Sequence, residues 1–141
     1  MNLMNISVLI MVFGGCIIYR FIPRKDPGAY RVKNTPSSSN YLKTIPSQYL
    51  RTRHFDIHYI SQGKGDPVIL IHGGGMWLYS YRDNIPELSR TFTVYALDMP
   101  GYGYTVPRAN SPRYGLSVMA DTLLEFMDTL KIEKASLVGH S

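Results

Sequence analysis

The stretch VILIHGGG, residues 68–75, joins a short apolar run directly to three consecutive glycines. Short continuous apolar runs are typical of strands that are buried on both faces of a sheet. Glycines let the backbone turn sharply and present its N–H groups to a ligand, because no Cβ is in the way. The stretch therefore predicts a buried strand that ends in a ligand-binding turn, and either a phosphate loop or an oxyanion hole would fit.

The residues after the glycines argue against a nucleotide site. A dinucleotide-binding loop has the pattern G-x-G-x-x-G, and a P-loop has the pattern G-x-x-x-x-G-K-[ST]. Met76, Trp77 and Leu78 follow Gly75 here, so neither pattern is met. An oxyanion-binding loop and a plain glycine turn remain open.

Strand and helix patterns alternate along the rest of the chain. The predicted elements are, in order, a β-hairpin from residue 49 with its turn near His54, a turn over 63–67, the strand at 68–71, a helix over 78–90 that Pro86 interrupts, a strand over 91–97, a loop over 98–112, a helix over 118–130 with Ser117 as its N-cap, and a strand over 135–138. This order predicts an α/β fold with a mostly parallel sheet and right-handed crossovers.

Two further loops follow predicted strands. In DMPGYGYT, residues 98–105, Asp98 has a side chain suited to catalysis, but an aspartate in such a loop more often holds it through backbone N–H groups. We favour that structural role. In LVGHS, residues 137–141, a serine on a tight strand-to-helix turn would hold its Oγ above the sheet, although G-x-S alone is a common tripeptide. We expect all the histidines to be structural, not a general base: His54, His58, His72 and His140.

Together and in this order, the three motifs resemble the α/β-hydrolase superfamily over residues 49–141. The H-G-G-G loop, the D-x-P-G-Y-G loop and the L-V-G-H-S turn match the landmarks of its N-terminal part. Residues 79–88 look like the helix that follows the oxyanion loop in the epoxide-hydrolase branch, and the H-G-G-G loop is similar to that of C–C bond hydrolases. The resemblance implies the N-terminal portion of the hydrolase sheet, with a hairpin at its start.

For the site, the resemblance implies Ser141 as nucleophile and the backbone N–H of Gly74 as an oxyanion donor, in a loop with His72, Gly73 and Gly75. It places a second donor at residue 142, and the catalytic acid and histidine after the nucleophile, outside this chain. Epoxide hydrolases of the superfamily carry aspartate where Ser141 stands. Serine implies acyl chemistry on an ester or another carbonyl, as in an esterase, lipase or C–C hydrolase, without metal or cofactor.

The resemblance also implies that the later strands and the cap are missing. The strand at 135–138 lies inside the family's sheet, so we expect it to form an exposed edge here. We therefore expect the chain alone to be unstable and inactive, as an incomplete gene or gene model would be. The alternative function is a non-catalytic binding or regulatory module of the same fold, tethered to a membrane.

Composition limits the partners. Hydrophobic residues make up 45% of the 141 residues and charged residues 18%, which suits a globular domain. Cys16 is the one cysteine, so an internal disulfide is excluded. The net charge of +5 is concentrated early in the chain, with no basic stripe interleaved with aromatic residues. We expect a small-molecule carbonyl substrate as partner, and no nucleic acid.

The N-terminus predicts a membrane segment. Residues 1–19 carry no charge and would form a helix about 28 Å long, close to the thickness of a bilayer core. Arg20 and the basic residues after it would place the domain in the cytoplasm by the positive-inside rule. We therefore predict a single-pass anchor over 1–22, a linker over 23–48 and the domain over 49–141. The alternatives are a cleaved secretory signal, a lipoprotein signal ending at Cys16, and a buried helix.

Overall fold

The computed structural model describes residues 41–43 and 46–141. The predicted membrane anchor and most of the predicted linker lie outside these residues. The described strands are β1 (Ser47–Arg51), β2 (Phe55–Gln62), β3 (Pro67–Ile71), β4 (Thr93–Leu97), β5 (Val106–Pro107) and β6 (Ser136–Gly139). The helices are a 3-10 turn (Leu78–Tyr81), α1 (Asn84–Leu88) and α2 (Leu116–Thr129). The chain thus has the predicted α/β class, and β1 begins two residues before the predicted domain boundary.

The strands form one mixed sheet in the order β1-β2-β4-β3-β6, with β5 attached to β2. The predicted hairpin is confirmed, because β1 pairs antiparallel with β2. β3 pairs in parallel with both β4 and β6, and Ile71 lies opposite Leu97 on one side and Gly139 on the other. The three parallel strands therefore end at the same level, and the loops that follow them start at one edge of the sheet.

Both faces of the sheet are buried at β3. Side chains of successive strand residues point to opposite faces. Ile69 accordingly packs beneath α2 with Phe126, whereas Val68 and Leu70 pack beneath the 3-10 turn and α1 with Ile85. Ile69 and Leu70 are fully buried, which confirms the predicted two-sided strand. Complete burial of one such side chain contributes roughly 1.5–3 kcal/mol.

The predicted helix over 78–90 is divided into two short pieces. The break falls at residues 82–83 and not at the predicted Pro86. Pro86 is the third residue of α1, where a backbone N–H has no partner inside the helix in any case. A proline at that position therefore removes no helical hydrogen bond.

Two other predictions were wrong in detail. Gly115, with extended backbone and no side-chain hydrogen bond, is the N-cap of α2, and Ser117 lies inside the helix. Leu116, the first residue of the helix, is 87% exposed, so it contributes little to the buried face. The predicted loop over 98–112 contains β5, which pairs with Phe55 and Asp56 of β2. Two exposed residues are too few to show a strand period.

Within residues 41–43 and 46–141, no helix combines the length and the apolar character needed to cross a bilayer. β6 lies at one end of the strand order, and three of its four residues are exposed.

Candidate active site

Three loops meet at the carboxyl ends of the parallel strands. Residues 72–75 follow β3, residues 98–105 follow β4, and residues 140–141 follow β6. Ligands of open α/β sheets bind at this edge. The structure therefore brings together the three motifs that the sequence singled out.

The glycine loop is a tight turn. The Met76 N–H donates to the Gly73 carbonyl over 3.1 Å, and Gly75 has a φ of 78°. Positive φ at the third residue alone indicates a type II turn, and that position strongly favours glycine. Among the described residues, the Gly74 N–H donates to no protein acceptor. It is a backbone donor at the end of the parallel strands that the fold leaves unused.

Gly73 lies directly against the end of the chain. A Cβ built on Gly73 would be 2.8 Å from both the Ser141 Cβ and the His140 carbonyl oxygen. Such distances are far below van der Waals contact, so only glycine fits there. Ser141 itself has a φ of 68°, in the left-handed region that residues other than glycine seldom adopt. Strained backbone of this kind is typical of a nucleophilic serine on a strand-to-helix turn.

His72 connects two of the loops. Its Nδ1–H donates to the Gly73 carbonyl over 2.9 Å, and its Nε2 accepts from the Met99 N–H over 3.0 Å. Burial lowers the pKa of His72, and this outweighs the opposite effects of the Gly73 carbonyl and the Asp98 charge. Both ring nitrogens of the neutral imidazole are thus occupied, which agrees with the expected structural role.

Asp98 is fully buried and organises the second loop. Its Oδ1 accepts from the Leu78 N–H over 2.7 Å, and its Oδ2 accepts from the Tyr104 N–H over 2.9 Å. These backbone bonds confirm the structural role. Gly103 packs so closely that an added Cβ would overlap the Asp98 carboxylate. The glycine at position 103 thus follows from the carboxylate beside it.

The sequence did not reveal the side-chain partner of Asp98. His58 Nδ1 lies 2.8 Å from Asp98 Oδ2, and both side chains are almost completely buried. Thr105 joins them, since its hydroxyl donates to the Asp98 carbonyl and accepts from the His58 N–H. One signal was available: His58 lies in a run of four buried strand residues, and a buried polar side chain needs a partner.

One groove lies away from these three loops. This groove of about 450 Å³ runs between the β1–β2 turn and α2, and Arg53, Phe55 and Glu125 are among its lining residues. The residues that line this groove belong to none of the three loops at the strand ends. The groove is therefore separate from the candidate site. In the part of the chain that the structure describes, no group of three or more His, Cys, Asp or Glu side chains is placed to hold a metal ion.

Comparisons with known proteins agree with this geometry. Residues 66–141 match the model of the family described as alpha/beta hydrolase fold. The chain is 37% identical over 84 residues to (E)-2-((N-methylformamido)methylene)succinate hydrolase of Acinetobacter baylyi, a match over 60% of this chain and 31% of the relative. It is 39% identical over 83 residues to 2-hydroxy-6-oxo-2,4-heptadienoate hydrolase of Pseudomonas putida, over 56% and 29% of the two chains.

A solved structure shows the same similarity in three dimensions. The crystal structure of an epoxide hydrolase from Vigna radiata matches with a TM-score of 0.63 and 26% identity, over 71% of this chain and 33% of that one. The chain thus spans about a third of the length of the relatives that it matches.

Proposed function

Because the chain belongs to the α/β hydrolase fold family, we propose that Ser141 is the nucleophile of a serine hydrolase that acts on an ester or another carbonyl substrate through an acyl-enzyme. The observation that carries this proposal is the contact of Gly73 with Ser141. It places the candidate nucleophile beside the turn that holds the unused Gly74 N–H. A nucleophile and an oxyanion donor must both reach the same carbonyl group.

The proposed reaction has two steps. The Ser141 Oγ attacks the carbonyl carbon while a general base takes its proton, and the carbonyl oxygen becomes an oxyanion that accepts from the Gly74 N–H. Collapse of the tetrahedral intermediate breaks the bond to the leaving group, which receives that proton, and leaves the acyl group on Ser141. Water then hydrolyses the acyl-enzyme and restores the serine.

The general base is proposed to lie beyond Ser141, with its acidic partner. His58 and His72 do not suit this role, because His58 is buried on β2, which β4 and β3 separate from β6, and His72 uses both ring nitrogens. We therefore propose that the 141-residue polypeptide alone has no esterase activity. Hydrolysis of p-nitrophenyl acetate by the purified polypeptide, abolished by Ser141→Ala, would overturn this part of the proposal.

The proposed nucleophile, a serine, favours carbonyl substrates over epoxides. The relatives include an epoxide hydrolase and two hydrolases named for unsaturated acid substrates. A serine gives an acyl ester that water can hydrolyse, whereas its attack on an epoxide would give a stable ether.

The test is activity against p-nitrophenyl esters and styrene oxide, using protein expressed from the complete coding sequence. We expect ester hydrolysis that Ser141→Ala abolishes. Epoxide opening without ester hydrolysis would contradict the proposal, and substrate binding without turnover would indicate a non-catalytic module.

The membrane anchor stays a proposal that rests on the sequence of residues 1–19, which carry no charge. We propose a single-pass segment over 1–22 with the domain in the cytoplasm. Protease protection in intact cells tests this orientation. Digestion of the domain by external protease would contradict the orientation, and recovery of the protein in the soluble fraction would contradict the anchor.

A further inference from the structure

Tyr81 lies beneath the glycine loop and the strand that leads to Ser141. It is the last residue of the 3-10 turn, and its side chain is 8% exposed and packs in the core face formed with α1. Its hydroxyl donates to the Ile71 carbonyl over 2.8 Å, and the Val138 carbonyl lies 3.4 Å from the same oxygen. One buried hydroxyl therefore contacts two neighbouring strands.

The two carbonyls lie at the ends of the strands that lead to the glycine loop and to Ser141. Ile71 is the last residue of β3 and precedes His72, while Val138 precedes Gly139 at the end of β6. The Ile71 oxygen also accepts from the His140 N–H over 3.2 Å. The Ile71 carbonyl thus accepts two hydrogen bonds, one from the Tyr81 hydroxyl and one from the N–H of His140, the residue before Ser141. Both strands are held at the points where the glycine loop and the serine turn begin.

We propose that Tyr81 is a positioning residue that fixes the distance between the glycine loop and Ser141. This assignment rests on the proposed function, in which the Gly74 N–H and the Ser141 Oγ must reach one carbonyl group. Within the described residues, β6 pairs only with β3, so no second strand helps to locate the end of β6. The hydroxyl of Tyr81 adds a contact from a different element, on the face of the sheet that α1 covers.

The hydroxyl is a dependable donor at neutral pH. Burial raises the pKa of Tyr81, so the phenol keeps its proton. With one hydrogen, it donates mainly to Ile71, and the longer approach to Val138 is the weaker contact. Removal of the hydroxyl would leave the Ile71 carbonyl with only the His140 N–H of these two donors and would abolish the contact with the Val138 carbonyl.

Tyr59 provides a matched control. It is also a buried tyrosine, at 6% exposure, and its hydroxyl donates to the Gln48 side chain over 2.7 Å. Its partner lies on β1, at the other end of the strand order. Tyr59→Phe therefore removes the same chemical group from the core without touching the candidate site.

The experiment compares Tyr81→Phe and Tyr59→Phe in protein expressed from the complete coding sequence, well below both melting temperatures. We expect Tyr81→Phe to lower kcat for a p-nitrophenyl ester about tenfold with KM within about twofold, because misplacement of reacting groups acts on the chemical step. The His140 amide should exchange its hydrogen roughly tenfold faster. Tyr59→Phe should change these quantities by less than about twofold.

Hydrogen exchange separates this proposal from the proposed function. If the unmodified protein shows no hydrolysis but Tyr81→Phe alone accelerates exchange at His140, the hydrolase proposal fails and Tyr81 still positions the serine turn. If the two variants give the same kcat and the same His140 exchange, Tyr81 is an ordinary core residue and the positioning role is overturned.

Discussion

A Cβ built on Gly73 would lie 2.8 Å from the Cβ of Ser141, so the glycine loop and the candidate nucleophile are in direct contact. The contact arises because β3 and β6 pair in parallel with Ile71 opposite Gly139. The two strands therefore end at the same level of the sheet. A side chain at position 73 would have to displace the serine turn. The glycine loop and Ser141 therefore behave as one unit, and a change in either should affect the other.

Gly73→Ala should destabilise the fold by about 1–3 kcal/mol, the usual cost of overpacking, because the new methyl group meets backbone and Ser141. Gly74→Ala is the control, since its Cβ would have only the Tyr102 hydroxyl nearby, at 3.8 Å. It should change stability by less than about 1 kcal/mol. Urea unfolding followed by circular dichroism measures both variants. Equal losses of stability would contradict the close approach of Gly73 to the serine turn.

Gly74→Pro should remove the proposed oxyanion donor without breaking the turn. Gly74 is the second residue of the type II turn that the Gly73 carbonyl and Met76 N–H close, and proline is common at that position. Loss of one oxyanion donor typically lowers kcat about 100- to 1000-fold. We expect that loss with an unchanged melting temperature, measured on protein from the complete coding sequence. Full activity of the folded proline variant would remove Gly74 from the oxyanion hole.

Asp98→Ala should be strongly destabilising, because Asp98 holds together the loop after β4. The change leaves the buried Leu78 N–H, the partly buried Tyr104 N–H and the His58 ring without their partner. A buried polar group that loses its partner costs about 1–3 kcal/mol. Asp56→Ala removes an exposed pair with Arg51 at 3.4 Å and should cost less than about 1 kcal/mol. Comparable losses in the two variants would show that the Asp98 network does not support the loop.

Stability should fall as the solution becomes acidic, in part through His72. Burial lowers the pKa of His72 below its usual 6.5. The unfolded chain therefore binds a proton that the folded chain excludes, and the free energy of unfolding decreases as pH falls below about 6.5. The contribution of one histidine is at most about 1.4 kcal/mol per pH unit.

The comparison of His72→Gln with His54→Gln isolates this contribution. Glutamine can still donate and accept at position 72 but does not titrate, so the decline between pH 7.5 and 5.5 should become shallower. His54 lies in the β1–β2 turn, away from the glycine loop. Its replacement should leave the decline unchanged, and an unchanged decline in His72→Gln would be inconsistent with a buried neutral imidazole.

Local patterns in the sequence were enough to predict the sheet and the three loops. The VILI run before His72 is apolar throughout because β3 has neighbours on both edges and covers on both faces. The structural role of Asp98 was predictable from its position after a strand, since a carboxylate there meets the N–H groups of its own loop.

Features that depend on distant residues were not predictable. His58 and Asp98 are forty positions apart and meet only because β2 pairs with β4. The bond from Tyr81 to Ile71 likewise depends on how the 3-10 turn packs under the sheet. The start of α2 at Leu116 was missed for another reason: its N-cap, Gly115, has no side chain to cap the helix, so the capping signal at Ser117 was misleading.

The most direct test of the account is covalent labelling with a fluorophosphonate, which reacts with an activated serine. Protein from the complete coding sequence would be treated with the probe, digested and mapped by mass spectrometry, with Ser141→Ala as control. We predict a single adduct on the peptide that contains Ser141, absent from the control. A folded protein in which Ser141 stays unmodified, or an adduct that persists in Ser141→Ala, would contradict its role as nucleophile.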